Sequence, residues 1–183
     1  MRALSLAVPL AAITAVYLPK QLQPAPGVET WLFFDGVCNL CDGFVNFVYA
    51  GDSQGRVRFG ALQKHRELLE RHGAGRYAEG GEESMSTVVV IQDGQVFIRS
   101  SAALRILAVM DQPWRHPLQR LLWRMLAVFY LVPLPLRDFV YQLVGQHRYT
   151  IFGKKEQCMT PSGDFKRRFL EYDASEDRHP IFQ

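Results

Sequence analysis

Trp31-Leu32-Phe33-Phe34-Asp35-Gly36-Val37-Cys38-Asn39-Leu40-Cys41-Asp42-Gly43-Phe44-Val45-Asn46-Phe47-Val48 is the stretch on which the fold turns. Its first four residues are apolar, too few for a helix, and the turn pair Asp35-Gly36 stops them, so they read as a strand. Beyond the turn, Leu40, Phe44, Val45, Phe47 and Val48 recur close to the 3.6-residue period, so a helix begins at the cysteines. Cys38 and Cys41 then fall in its first turn, three apart and on one face. Unpaired backbone N–H groups and the positive end of the macrodipole stabilise an anion there. A thiol so placed ionises more easily, and the thiolate is the form that attacks disulfides. Cys38, nearer the helix start, is the expected nucleophile, and Cys41 the thiol that resolves the mixed disulfide.

Other uses of such a pair exist. A structural disulfide would close a loop too small to restrict the unfolded chain much. Zinc is the stronger rival, because Cys-x-x-Cys is half of a tetrahedral site. The other half would have to come from Cys158 and five scattered histidines, so Cys38, Cys41 and Cys158 form the alternative ligand set. Dithiol chemistry needs no bound cofactor beyond the cysteines themselves.

Composition narrows the classes. A chain of 183 residues suggests one domain with length over for an appendage. Its 48% hydrophobic and 21% charged content is that of an ordinary globular protein. A net charge of +3, with no Lys/Arg-rich block, excludes a dedicated nucleic-acid binder. Three cysteines are too few for a secreted disulfide scaffold and leave one thiol over.

Residues 3–18 are apolar apart from Ser5 and Thr14, behind Arg2 and ahead of Lys20, so residues 1–20 read as a targeting or membrane segment. The run is short for a membrane anchor, which needs about 17 to 25 residues, and holds Pro9. Residues 21–28, with Pro24, Pro26 and Gly27, form a linker. Within residues 29–111 the alternation from Arg56 to Leu62 predicts a half-buried strand, Gln63 to His72 a helix and Gly73 to Glu83 a surface loop. Ser86 to Ile91 is a β-branched run covered on both faces, and Asp93-Gly94 turns it into a hairpin returning as Val96 to Arg99. Ser100 or Ser101 would cap a helix from Ala102 to Met110. Strand, helix, strand, helix, strand, strand, helix is the order of an α/β thioredoxin-like fold, a mixed sheet flanked by helices. Residues 112–158 form a C-terminal helical extension: Pro117 to Val132, apolar enough to lie on its own domain, a partner or a membrane surface, then Arg137 to Arg148. Residues 159–183 read as a polar tail.

Phe34-Asp35-Gly36-Val37-Cys38-Asn39-Leu40-Cys41 resembles the signature of the DCC family, thiol-disulfide oxidoreductases of thioredoxin-like fold named for an Asp and two Cys. Ser101-Ala102-Ala103-Leu104-Arg105, Pro135-Leu136-Arg137-Asp138-Phe139-Val140-Tyr141, Arg148-Tyr149 and Phe152-Gly153-Lys154 with Cys158 follow in the family's order. The likeness therefore covers about Thr30 to Cys158. It implies a redox pair in Cys38 and Cys41, a protein disulfide or dithiol as substrate, and Asp35 as the acidic member of the motif. Asp35 would either take the proton of Cys41 or hold the turn through backbone N–H groups. Arg148 and Arg137 would set positive charge near the thiolate, or pair with Asp138 or a helix end. Cys158 would be a further redox partner, a metal ligand or an inert thiol. Thioredoxins carry a cis-proline before the central strand; here Glu83-Ser84-Met85-Ser86-Thr87 has none, which implies a different substrate groove. That difference and the apolar segments 3–18 and 117–132 leave a second reading, a non-catalytic thioredoxin-like subunit of a membrane-bound assembly. Its setting would be membrane-associated or organellar, in a mitochondrion or plastid.

Overall fold

The computed structural model describes residues 29–79, 87–110, 129 and 131–172. The expected segment 1–20, the linker 21–28, residues 80–86 and nearly all of the helix expected over Pro117 to Val132 lie outside them, as do residues 173–183 of the expected tail.

Four strands form one mixed sheet in the order β2-β1-β3-β4. Strand β1 (Thr30–Phe34) runs parallel to β2 (Val57–Ala61) and antiparallel to β3 (Val89–Gln92), which turns back into β4 (Gln95–Ile98). The β1–β2 pairing needs a crossover, supplied by helix α1 (Asn39–Gly51). The hairpin turns through Asp93 and Gly94, both at positive φ, the geometry that Asp-Gly favours between twisted strands. Helix α2 (Arg66–Arg71) follows β2, α3 (Arg99–Val109) follows β4, and the long α4 (Leu134–Phe152) and short α5 (Gly163–Lys166) come after them among the described residues. This is the α/β thioredoxin-like arrangement that the order of elements implies.

Successive residues of β1 point to opposite faces, so the sheet has two cores. Leu32, Phe34, Val57, Phe59 and Val90 meet Val45 and Val48 of α1 and Ala102, Ile106 and Val109 of α3. Trp31, Phe33, Val89 and Ile91 meet Leu62, Leu68, Leu69 and Leu170 on the other side. Strand β2 is more covered than its alternation suggests: only Arg58 is partly exposed. Gly60 is part of the reason, since a Cβ there would come within 2.9 Å of both the Phe33 ring and His65, which pack edge to face across it.

Several boundaries differ from expectation. Helix α2, expected over Gln63 to His72, spans only Arg66–Arg71, behind a separate 3-10 turn at Leu62–Lys64. Helix α3 begins at Arg99, not behind a serine cap, because the Arg99 N–H is taken by Thr87 Oγ1 at 2.8 Å while the Ser100 hydroxyl reaches Asp138 on α4. Helix α4 is longer at both ends than Arg137 to Arg148, entering through Pro133 and Pro135 and stopping at Gly153, whose φ of +83° suits glycine. The segment after residue 158 is not all polar tail. Phe169 and Leu170 are buried, Phe165 packs against Tyr49, Phe59 and Phe169, and the backbone docks beside β2 through Phe59 N–H to Arg168 O at 2.8 Å. Val57 and Ala61 give their N–H groups to Asp52 and Glu171, both at 2.8 Å.

Candidate redox site

The turn after β1 is built by Asp35. Its carbonyl accepts the Cys38 N–H at 3.2 Å, and its carboxylate accepts the Val37 N–H at 3.2 Å. Cys38 then stands at the N-cap of α1, one place earlier than within the first turn, with extended backbone and its Sγ accepting the Cys41 N–H at 3.4 Å. Sulfur here takes the part that a Ser or Asp oxygen usually plays. The cap position favours the thiolate. The Cys41 thiol donating to it, helped by the Cys41 and Leu40 N–H groups, brings Cys38 down to about 6 against the opposing effects of burial and the Asp35 charge. Cys41 moves the opposite way: its bond to Cys38, then burial and the Cys38 and Asp35 charges, hold it protonated, with Arg148 opposing. Cys38 is completely buried, while Cys41 is partly exposed.

Asp35 is also completely buried, and its two oxygens serve four donors. Besides Val37, Oδ1 accepts Gln63 Nε2 at 2.7 Å, and Oδ2 accepts Arg148 Nη2 at 3.2 Å and the Tyr149 hydroxyl. A buried carboxylate so surrounded is satisfied as an anion. Arg148 is fixed in turn by Gly145 O at 2.6 Å and by the Tyr149 ring, whose centroid is 4.0 Å from the guanidinium. Of the two arginines expected near the thiols, Arg148 reaches the site. Arg137 lies eleven residues earlier on α4, roughly 16 Å along the axis, and Asp138 is engaged by Ser100 and Arg99.

The chain leaving α4 passes over the cysteine turn. Asn39 Nδ2 donates to Phe152 O at 2.8 Å, Lys154 bridges Cys38, Lys155 N–H donates to Val37 O at 2.8 Å, and Met159 N–H donates to Gly36 O at 2.8 Å. The Lys155 ammonium binds the Asp42 carboxylate, which burial pushes up and Lys155 pulls back. This crossing explains how the better thiolate is also the buried one. Cys158 lies in the same crossing, against Gly36: a Cβ on Gly36 would stand 3.1 Å from its Sγ. Burial raises the Cys158 thiol. All three cysteines are free, and among the described residues no three Cys, His, Asp or Glu side chains gather to hold a metal ion, the set Cys38, Cys41 and Cys158 included.

Gln63, Tyr149 and Lys155 were not candidates on sequence grounds. Tyr149 had a signal, standing beside Arg148 in a segment shared with the family, whereas Gln63 and Lys155 look like any polar surface residue. On the far side of Cys41 lies an apolar cleft of about 190 Å³ between α1, the start of β3, α3 and α4.

The description "DCC1-like thiol-disulfide oxidoreductase" matches residues 32–154. Among curated proteins, "Uncharacterized protein YuxK" of Bacillus subtilis (strain 168) is 38% identical over 141 residues, 76% of this chain and 92% of its own length. "DCC family protein At1g52590, chloroplastic" of Arabidopsis thaliana is 36% identical over 130 residues, 69% of this chain and 67% of its own. No solved structure matches. The matched region begins in the strand that leads into Asp35 and ends at Lys154, where the chain crosses the thiols, and the chain belongs to the DCC1-like thiol-disulfide oxidoreductase family.

Proposed function

We propose that the protein exchanges disulfides with protein substrates through Cys38 and Cys41. The observation that supports this best is the sulfur pair at the start of α1, one thiolate stabilised by the donor that will follow it. The Cys38 thiolate attacks one sulfur of a substrate disulfide, forming a mixed disulfide and expelling the other sulfur as a thiolate, which takes a proton from water. Cys38 is then no longer an anion, and the first cause holding Cys41 protonated is gone. Cys41 gives its proton to solvent and attacks Cys38 Sγ; the Cys38–substrate S–S bond breaks, and the second substrate sulfur leaves as a thiolate that takes a proton from water. The net exchange is one dithiol and one disulfide for one disulfide and two thiols. Asp35, with four donors on its two oxygens, acts as a fixed negative charge and turn former rather than as the acceptor of that proton. Its charge adds to the bond from Cys38 and the burial that keep Cys41 protonated while Cys38 is an anion. Because Cys38 is buried, the crossing over it from Gly153 to Met159 has to shift when substrate binds.

The test is trapping. Cys41→Ser should accumulate a mixed disulfide on Cys38 with a disulfide-bonded protein substrate, identified by mass spectrometry. Disulfide transfer by Cys38→Ser at the parent rate would refute the reading.

A second reading draws on α4, where Leu136, Phe139, Val140 and Leu143 are exposed in a row. Such a face suits a subunit of a membrane-bound assembly with no turnover. Among the described residues no helix is long and apolar enough to cross a membrane. Assembly into a large detergent-stable complex by a Cys38→Ser/Cys41→Ser double variant would favour it. An organellar setting rests on residues 3–18 and on the plant relative's printed name, and imaging of a tagged full-length chain would decide it.

A further inference from the structure

The apolar cleft beside Cys41 has no part in the chemistry so far. Its walls include Leu40, Cys41 and Phe44 from α1, Val88 ahead of β3, and Tyr141 and Val144 from α4. Most of its polar groups are already engaged. Thr87 Oγ1 donates to Val88 O at 3.0 Å and accepts the Arg99 N–H at 2.8 Å. The Tyr141 hydroxyl accepts the Val88 N–H at 3.0 Å. Arg148, at one end, is turned to Gly145 and Asp35. An occupant would therefore find little to hydrogen-bond and much apolar surface to cover, which selects hydrocarbon and rejects charge. At about 190 Å³ the cleft is smaller than the roughly 300 to 1,000 Å³ of sites for drug-sized ligands and cofactors. It fits a single side chain. One sulfur of the reacting pair lines it, so what brings a side chain there is the molecule whose disulfide is being exchanged. The next residue of a peptide is about 3.8 Å from its cysteine, and Cys41 is three residues, about 4.5 Å of helix rise, from Cys38. A residue adjacent to the cysteine joined to Cys38 can thus enter.

We infer that this cleft is a specificity pocket for a large apolar side chain, aliphatic or aromatic, next to the reacting cysteine of a protein disulfide. The inference rests on the exchange reaction proposed above. Tyr141 and Val144 belong to the helical extension, so the extension supplies selectivity as well as cover.

The experiment compares four disulfide-bonded peptides identical except for Leu, Phe, Asp or Lys beside the cysteine, with hydroxyethyl disulfide, which has no such side chain, as a further substrate of the full-length protein. The expected result is a kcat/KM roughly ten- to hundredfold higher for Leu and Phe. Within the Val144→Asp variant, the ratio of Lys to Leu should rise at least tenfold, and within Ala103→Leu, which narrows the cleft from its α3 wall, the preference for Phe should collapse. Equal rates for all four peptides beside normal turnover of hydroxyethyl disulfide would overturn the pocket and leave the exchange reaction standing. No turnover of any of the five would overturn both.

Discussion

The reduction potential of the Cys38/Cys41 pair should fall with pH in two slopes that meet near the Cys38 value of about 6. Below it, reduction of the disulfide takes up two protons with its two electrons. Above it, reduced Cys38 stays ionised and only Cys41 takes a proton. Each proton contributes about 30 mV per pH unit to a two-electron couple, so the slope should change from about 60 to about 30 mV per unit. With the thiol shifted from 9.0 to about 6, ionisation at pH 7 stabilises the dithiol by close to one pKa unit, worth about 1.4 kcal/mol or about 30 mV. The pair should therefore be that much more oxidising at neutral pH than an unperturbed dithiol. The second break, from Cys41, lies above the working range because Cys41 is pushed up. Equilibration against glutathione buffers at a series of pH values, with trapping of free thiols, measures the whole curve. A single two-proton slope up to about pH 8 would refute the placement of the thiolate on Cys38.

Asp35→Asn removes a charge that raises both thiols, so the break should move to lower pH. The same variant leaves the Arg148 guanidinium buried without its carboxylate, and urea melts should lose about 3 kcal/mol or more. Lys155→Ala releases Asp42 and loosens the crossing over the thiols, so Cys38 should be alkylated several-fold faster by iodoacetamide at pH 7, with its titration little changed. Phe169→Ala should cost about 3 to 5 kcal/mol in the same melts, the amount for a buried aromatic, where a solvated tail would cost nothing. Glu171 is held below its usual 4.5 by His65 and the Ala61 N–H, against the pull of burial. A lowered acid adds stability that is complete above its unfolded value, here 4.5, and is lost as pH falls through the folded one. Glu171→Gln should flatten that acid-side loss in urea midpoints.

What could be read from the chain was local. The apolar run Trp31 to Phe34, the turn at Asp35-Gly36 and the helical spacing after Cys41 concern neighbours in sequence, and they place both thiols at the head of a helix. The partners of Asp35 are another matter. Arg148 and Tyr149 are 113 and 114 positions away, and only the packing of α4 on α1 and α3 brings them to that carboxylate. The burial of Cys38 was hidden for the same reason, since it depends on a crossing contributed by residues 152–159. The burial of Phe169 and Leu170 was masked by composition: they stand among Lys166, Arg167, Arg168 and Glu171, and a mainly charged stretch reads as solvated. The i, i+4 spacing of Phe165 and Phe169 was the available clue.

The docking of residues 167–171 beside β2 bears on how the chain avoids sticking to itself. Strand β2 ends the sheet on its side, and an open end offers a row of N–H and C=O groups to any passing strand. Here the outward N–H groups of Val57, Phe59 and Ala61 are all spent, on Asp52, Arg168 and Glu171, and the Val57 carbonyl receives the Arg168 guanidinium. The C-terminal segment thus serves as a selvedge. A chain cut short at Cys158 would keep both thiols and the Asp52 bond to Val57 but free the Phe59 and Ala61 N–H groups and the Val57 carbonyl, so its first defect should be strand-to-strand association with other copies rather than slow chemistry.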